Sequence, residues 1–106
     1  MTGKEFEACV LLENVFYHTL RNICPDISQC SYGIISDDCD DYIKFKLCVS
    51  GGFKQVWYSR KLIQYLNKEL SGIHIDYDKD NYLKGFLIKR KDIHNLVTYY
   101  KMRGMI

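Results

Sequence analysis

In the segment DYDKDNYLKGFL, Asp76, Asp78 and Asp80 alternate as the first, third and fifth ligands of a calcium-binding loop do. Two further requirements of such a loop fail within the same run. The sixth position needs glycine for the sharp turn and is Asn81, and the twelfth needs a bidentate glutamate and is Leu87. The run therefore reads as a polar hairpin turn. The acidic run DDCDD (residues 37–41) reads as a solvated loop for a related reason: four aspartates in five residues repel one another and have poor strand propensity. Five cysteines stand at positions 9, 24, 30, 39 and 48 without a CxxC pair, so a zinc site from Cys24, Cys30, Cys39 and a histidine lacks the knuckle spacing. His18, His74 and His94 fall on three different elements, none with a serine, cysteine or carboxylate at triad-like local spacing. Gly51-Gly52 lacks the Lys-Ser/Thr sequel of a phosphate loop. The expectation is a chain with no catalytic residue, no metal and no cofactor, and so not an enzyme.

The elements that must carry these residues fit one domain. A chain of 106 residues, 47% hydrophobic and 26% charged, has a globular composition and is long enough to bury a core without a metal or disulfide frame. The odd cysteine count, and a start (MTGKEFEACVLL) that lacks the basic head and apolar core of a signal peptide, point to a reduced, cytoplasmic setting. No apolar run approaches the ~18 residues of a membrane span, so no membrane partner is expected. The net charge of +2 is unevenly spread. Residues 1–50 hold four Lys/Arg against eight Asp/Glu, and residues 51–106 hold eleven against five. That split permits an anionic partner without demanding one.

Periodicity predicts a first helix from about Lys4 to Asn22, with Phe6, Cys9, Val10, Phe16, Tyr17 and Leu20 inward and Pro25 beyond its end. SYGIIS predicts a short strand. In DDYIKFKLCVSGGFKQVWYS, alternation on both sides of Gly51-Gly52 predicts a hairpin about those two glycines. Its register sets Leu47 opposite Val56, Lys46 opposite Trp57 and Phe45 opposite Tyr58. Ser59 then caps a helix RKLIQYLNKEL that ends at Gly72. IHIDY and YLKGFLIKR predict two more strands joined by DKDN, and Asp92 opens a last helix. The order αβββαββα describes an α+β single domain: an antiparallel sheet of about five strands with helices packed on one face.

Such a sheet leaves its other face open. On the predicted hairpin that face carries Tyr42, Lys44, Lys46, Phe53, Gln55 and Trp57, with Arg60 and Lys61 at the start of the next helix. These eight residues are the candidate binding site. Around residues 32–70, the succession of strand, glycine turn, strand and a helix beginning Ser-Arg-Lys is similar to two nucleic-acid modules. Double-stranded-RNA-binding domains place lysines at the start of the second helix, and arm-type DNA-binding domains of phage integrases use a three-stranded sheet. Either resemblance matches Lys44, Lys46, Gln55, Trp57, Arg60 and Lys61. As a nucleic-acid binder, the open sheet would stack a base on Trp57 or Tyr42 while Lys44, Lys46, Arg60 and Lys61 contact phosphates. GKEFE with Pro25-Asp26 faintly resembles restriction-like nucleases of the PD-(D/E)XK type, which implies Glu7 and Asp26 as acids around Mg²⁺. Lys44 then stands where the second acid of the strand IKFK should be, which removes a metal ligand. The acidic run close to the same hairpin would repel phosphates, so the sequence favours docking on a protein or nucleoprotein partner. The class-level expectation is an inhibitor of host machinery encoded by a phage or mobile element. A nucleic-acid-binding module, a degenerate nuclease of the PD-(D/E)XK type and a homodimer through the same face are the alternatives.

Overall fold

The computed structural model describes residues 1–50, 54–78 and 85–106. The chain is an α+β domain of three α-helices and four antiparallel strands: α1 (Gly3–Ile23), β1 (Tyr32–Cys39), β2 (Tyr42–Val49), α2 (Gln55–Glu69), β3 (Ile75–Tyr77), β4 (Gly85–Lys89) and α3 (Ile93–Met102). Short 3₁₀ turns at Pro25–Gln29 and Arg90–Asp92 follow α1 and precede α3. The sheet order is β1-β2-β4-β3, two hairpins joined through β2 and β4.

α1 starts where a capping box predicts a start. The Thr2 hydroxyl accepts from the Glu5 N–H at 3.1 Å, and the Glu5 carboxylate accepts from the Thr2 N–H at 3.0 Å. Its inward stripe of Cys9, Leu12, Phe16 and Leu20 is fully buried. Phe16 is the central contact: its ring meets Phe45 at 5.1 Å and Phe86 at 5.3 Å, both edge-on. The stripe is narrower than the sequence suggests, because Phe6 and Val10 lie on the outside, 62% and 45% exposed.

Register places the buried strand residues on one face. Ile34 pairs with Leu47, Phe45 with Phe86, and Ile43 with Ile88, which also pairs with Ile75. All of these are buried against the helices. The alternation in YIKFKLCV thus sorts as expected, with Ile43, Phe45 and Leu47 inward and Tyr42, Lys44, Lys46 and Cys48 outward.

The hairpin partner is different from the expected one. β2 turns back on β1 through Asp40-Asp41, with Asp40 at φ 53° in the left-handed region that aspartate tolerates. Asp37, Asp38 and Cys39 are therefore strand residues rather than loop. Their repulsion is relieved by basic neighbours: Lys44 lies across from Asp37, and the Arg90 guanidinium reaches Asp38 at 2.7 Å. The expected turn at Gly51-Gly52 lies outside the described residues. Beyond it the chain is helical from Gln55, so the strand containing Gln55 and Trp57 does not form, and the described sheet has four strands instead of five. Gln55, Tyr58, Ser59, Leu62, Ile63 and Leu66 are buried at helical spacing, which packs a helix stripe where QVWYS alone also alternates as a strand does. Ser59 is consequently a buried mid-helix residue and no N-cap, and Val56 is only half-buried.

Candidate functional site

The face of the sheet turned away from the helices is built by register. β2 contributes Tyr42, Lys44, Lys46 and Cys48, and β1 places Cys39, Asp37, Ile35 and Gly33 beside them in that order. On the other side of β2, β4 places Lys89 beside Tyr42, Leu87 beside Lys44 and Gly85 beside Lys46. Asp76 of β3 lies beyond Leu87. Among the described residues no element covers this face: Ile35 is 50% exposed, Cys48 is exposed, and Tyr42, Lys44, Lys46 and Leu87 are half-buried by one another.

Charge on this face is compensated at Lys44. The Lys44 ammonium lies 3.5 Å from the Asp78 carboxylate, which is almost fully buried, and Asp37 is its cross-strand neighbour on the other side. Lys46 has Ile35 on one side and Gly85 on the other. Next to Tyr42 is a shallow hollow of about 550 Å³ lined by Asp41, Tyr42, Lys89, Arg90 and Lys91. Arg90 is already committed in it. Its guanidinium bonds Glu5 at 2.9 Å, Asp38 at 2.7 Å and the Asp40 carbonyl at 3.0 Å. The Thr2 N–H and Arg90 hold the Glu5 carboxyl below its usual range, and the N-terminal amine and Arg90 do the same for Asp38. Tyr42, Lys89 and Lys91 remain for a ligand, beside the Asp41 carboxylate.

The eight residues expected to share one surface divide into separate groups. Tyr42, Lys44 and Lys46 lie together on the open sheet face. Trp57, Arg60 and Lys61 are on α2, in the helical layer on the other side of the sheet. Gln55 is buried, and its side-chain amide donates to the Leu47 carbonyl, a link between α2 and β2. Phe53 lies outside the described residues. Trp57 is 47% exposed, with the Lys61 ammonium 5.5 Å above its ring in place of the expected Lys46. That geometry follows from the i, i+4 spacing of a helix, which strand pairing across from Lys46 would not give.

The metal-binding arrangements examined from sequence acquire other partners. Asp26 accepts from the Tyr58 hydroxyl at 2.8 Å and faces the Lys54 ammonium at 3.7 Å; the hydrogen bond and burial push the Tyr58 phenol up to about 12. Glu7 is exposed on α1, and Lys44 is held by Asp78. Asp80 and Asn81 lie outside the described residues. Among the described residues no three His, Cys, Asp or Glu side chains cluster as metal ligands would. Likewise, no helix among them is long and apolar enough to cross a membrane.

Ile35, Leu87 and Lys89 belong to the open face and were not singled out in the sequence. Leu87 and Lys89 alternate with the buried Phe86 and Ile88, a signal present in GFLIK once its pairing with β2 is known. Comparison with models of known protein families, with curated proteins and with solved structures finds no match. The functional reading therefore rests on geometry alone.

Proposed function

We propose that this chain is a non-enzymatic binding module that docks on a protein through the open face of its sheet. One observation carries the reading: the helices cover a single face, while the other presents Ile35, Tyr42 and Leu87 among lysines whose charge is partly compensated. An apolar and aromatic centre with a charged margin is the anatomy of a protein-binding patch. Lys44, paired with Asp78 and flanked by Asp37, is a poor phosphate ligand, because a polyanion would meet two carboxylates beside the one ammonium. Lys46, Lys89 and Lys91 stay available, and the hollow beside Tyr42 suits an acidic side chain of the partner flanked by apolar ones.

The test is a pull-down with tagged protein from the native host extract, split into nuclease-treated and untreated halves. The expected result is one protein partner retained in both halves, lost with the double substitution Tyr42→Ala and Lys46→Glu, and kept with Trp57→Ala on the helical layer. Capture abolished by nuclease assigns the face to nucleic acid instead. Capture that the double substitution leaves unchanged rules out the sheet face.

A further inference from the structure

The edges of the sheet are unequal. β3 has three residues and carries Asp76 in their midst, so it is short and charged as protected edges are. β1 is an edge of eight residues whose first five, Tyr-Gly-Ile-Ile-Ser, carry no charge, no proline and no bulge. The direction of its free hydrogen-bonding groups follows from the ladder. The Ser50 N–H donates to the Ser31 carbonyl at 2.9 Å, so Ser31 and Ser50 are joined by the hydrogen bonds that run between β1 and β2. Every second residue shares that orientation, namely Gly33, Ile35, Asp37 and Cys39. The N–H and C=O groups of Tyr32, Ile34, Ser36 and Asp38 therefore point outward from the edge. Among the described residues none of these backbone groups has a hydrogen-bond partner.

We propose that a second copy of this chain occupies this edge, its β1 running antiparallel to the first about a twofold axis at Ile35. That register is the one in which all four outward residues find partners, with Tyr32 opposite Asp38 and Ile34 opposite Ser36 in both directions. It also sets Ile35 against Ile35 of the second copy as a non-hydrogen-bonded pair, the closer kind of cross-strand contact. This explains why a β-branched apolar residue stands 50% exposed in the middle of the edge strand.

Charge makes the occupant a second copy. Asp37 and Asp38 both lie at one end of β1, so antiparallel pairing separates the two acidic ends instead of opposing them. Each acidic end meets the Tyr32 end of the other copy. There the Tyr32 ring, stacked on Tyr17 at 4.3 Å, carries no charge to oppose them. Above the edge, a groove of about 380 Å³ between α1 and β1 includes Val10, Asn14, Tyr17, Gly33 and Ile34 in its lining. Because the twofold brings the two α1 helices side by side, the exposed Val10 gains cover from the second copy. The two open sheet faces then join into one continuous face. The proposal is independent of what that face binds.

Sedimentation velocity over a dilution series from roughly 1 to 100 µM reads the outcome directly. The expected result is a reversible dimer that Ile35→Lys converts to monomer throughout the series, with thermal unfolding that matches wild type diluted to its monomer. A second variant fixes the register. In the paired strands the Cα atoms of Ile35 would be about 4.5 Å apart, inside the disulfide range of roughly 4.4–6.8 Å. Ile35→Cys in a Cys48→Ser background should form a covalent dimer on mild oxidation, which Cys48→Ser alone should not. A wild-type monomer across the whole series overturns the proposal, as does a dimer that Ile35→Lys leaves intact. Failure of Ile35→Cys to cross-link in a protein that does dimerise overturns the register.

Discussion

Trp57 and Lys61 show how one residue's surroundings decide what it can do. The tryptophan ring is half exposed on α2, edge-on to Tyr58 at 5.2 Å and covered on one side by the Lys61 ammonium. A cation over an exposed ring contributes about 0.5–1 kcal/mol and an edge-on aromatic contact about 0.5–1.5 kcal/mol, so Trp57→Ala should cost about 1–2 kcal/mol in denaturant unfolding, short of a core tryptophan. Its fluorescence should be red-shifted and readily quenched by iodide; a blue-shifted, unquenched emission would show the ring buried by some further contact. Leu47 is the opposite case. It is fully buried on the inward face of β2, and Leu47→Ala should cost about 2–5 kcal/mol through lost burial and the cavity left behind. Both side chains come from one alternating stretch of sequence. Leu47 could be placed from its spacing to Ile43 and Phe45, because all three lie in one strand. Trp57 could not, since the spacing within QVWYS suits a strand until Leu62, Ile63 and Leu66 extend the buried stripe of Tyr58 and Ser59 at helical period.

At the level of elements, the sequence was legible wherever a local signal and burial agree. α1 begins at its capping box and ends before Pro25, and α3 begins after Asp92. β2 keeps the expected faces. What remained hidden was pairing. Asp37 and Asp38 look like a loop until Lys44 and Arg90, brought from elsewhere in the chain, supply the opposite charges. Arg90 is the residue that joins the start of α1, the β1–β2 turn and the end of β4. Glu5 and Asp38 are both held below their usual carboxyl pKa values partly by it, so the stability they contribute is present above the unfolded-state carboxyl pKa and is lost as pH falls through the depressed folded-state values. Arg90→Met should therefore flatten the acid limb of a stability-versus-pH profile while leaving the neutral-to-alkaline part parallel to wild type. An unchanged acid limb would show that these ion pairs are fully screened. Close approach of strands gives a second check. A Cβ on Gly85 would lie 2.6 Å from the Phe45 carbonyl oxygen, a backbone atom that cannot swing aside. Gly85→Ala should push β4 away from β2 and cost about 1–3 kcal/mol in unfolding experiments, although the substitution adds only a methyl group.

For the whole molecule, folding brings opposite charges from the two halves of the chain together. The acidic residues 1–50 and the basic residues 51–106 are interleaved: Arg90 pairs with Glu5 and Asp38, and Lys54 faces Asp26. Lys44, one of the few cations of the first half, is itself held by Asp78 of the second. Arg90, Lys54 and Lys44 are thereby withdrawn from any field that would draw the protein onto nucleic acid. Non-specific duplex binding at physiological salt should accordingly be weaker than roughly 10⁻⁴ M, the weak end of the range for DNA-binding proteins. Fluorescence anisotropy with a labelled duplex, repeated across a salt series, measures it. A flat or absent signal fits a face whose central lysine, Lys44, is shared with a carboxylate. A tight complex whose affinity falls steeply with salt and with Lys46→Glu would mean that Lys46, Lys89 and Lys91 act together on phosphates, and the open face would then have to be read as a nucleic-acid surface. Adding Lys46→Glu separates the outcomes further. It should reverse any phosphate contact made by the sheet and reduce the salt slope by about one, yet leave unfolding within about 0.5 kcal/mol, because Lys46 is half-buried without a carboxylate partner among the described residues.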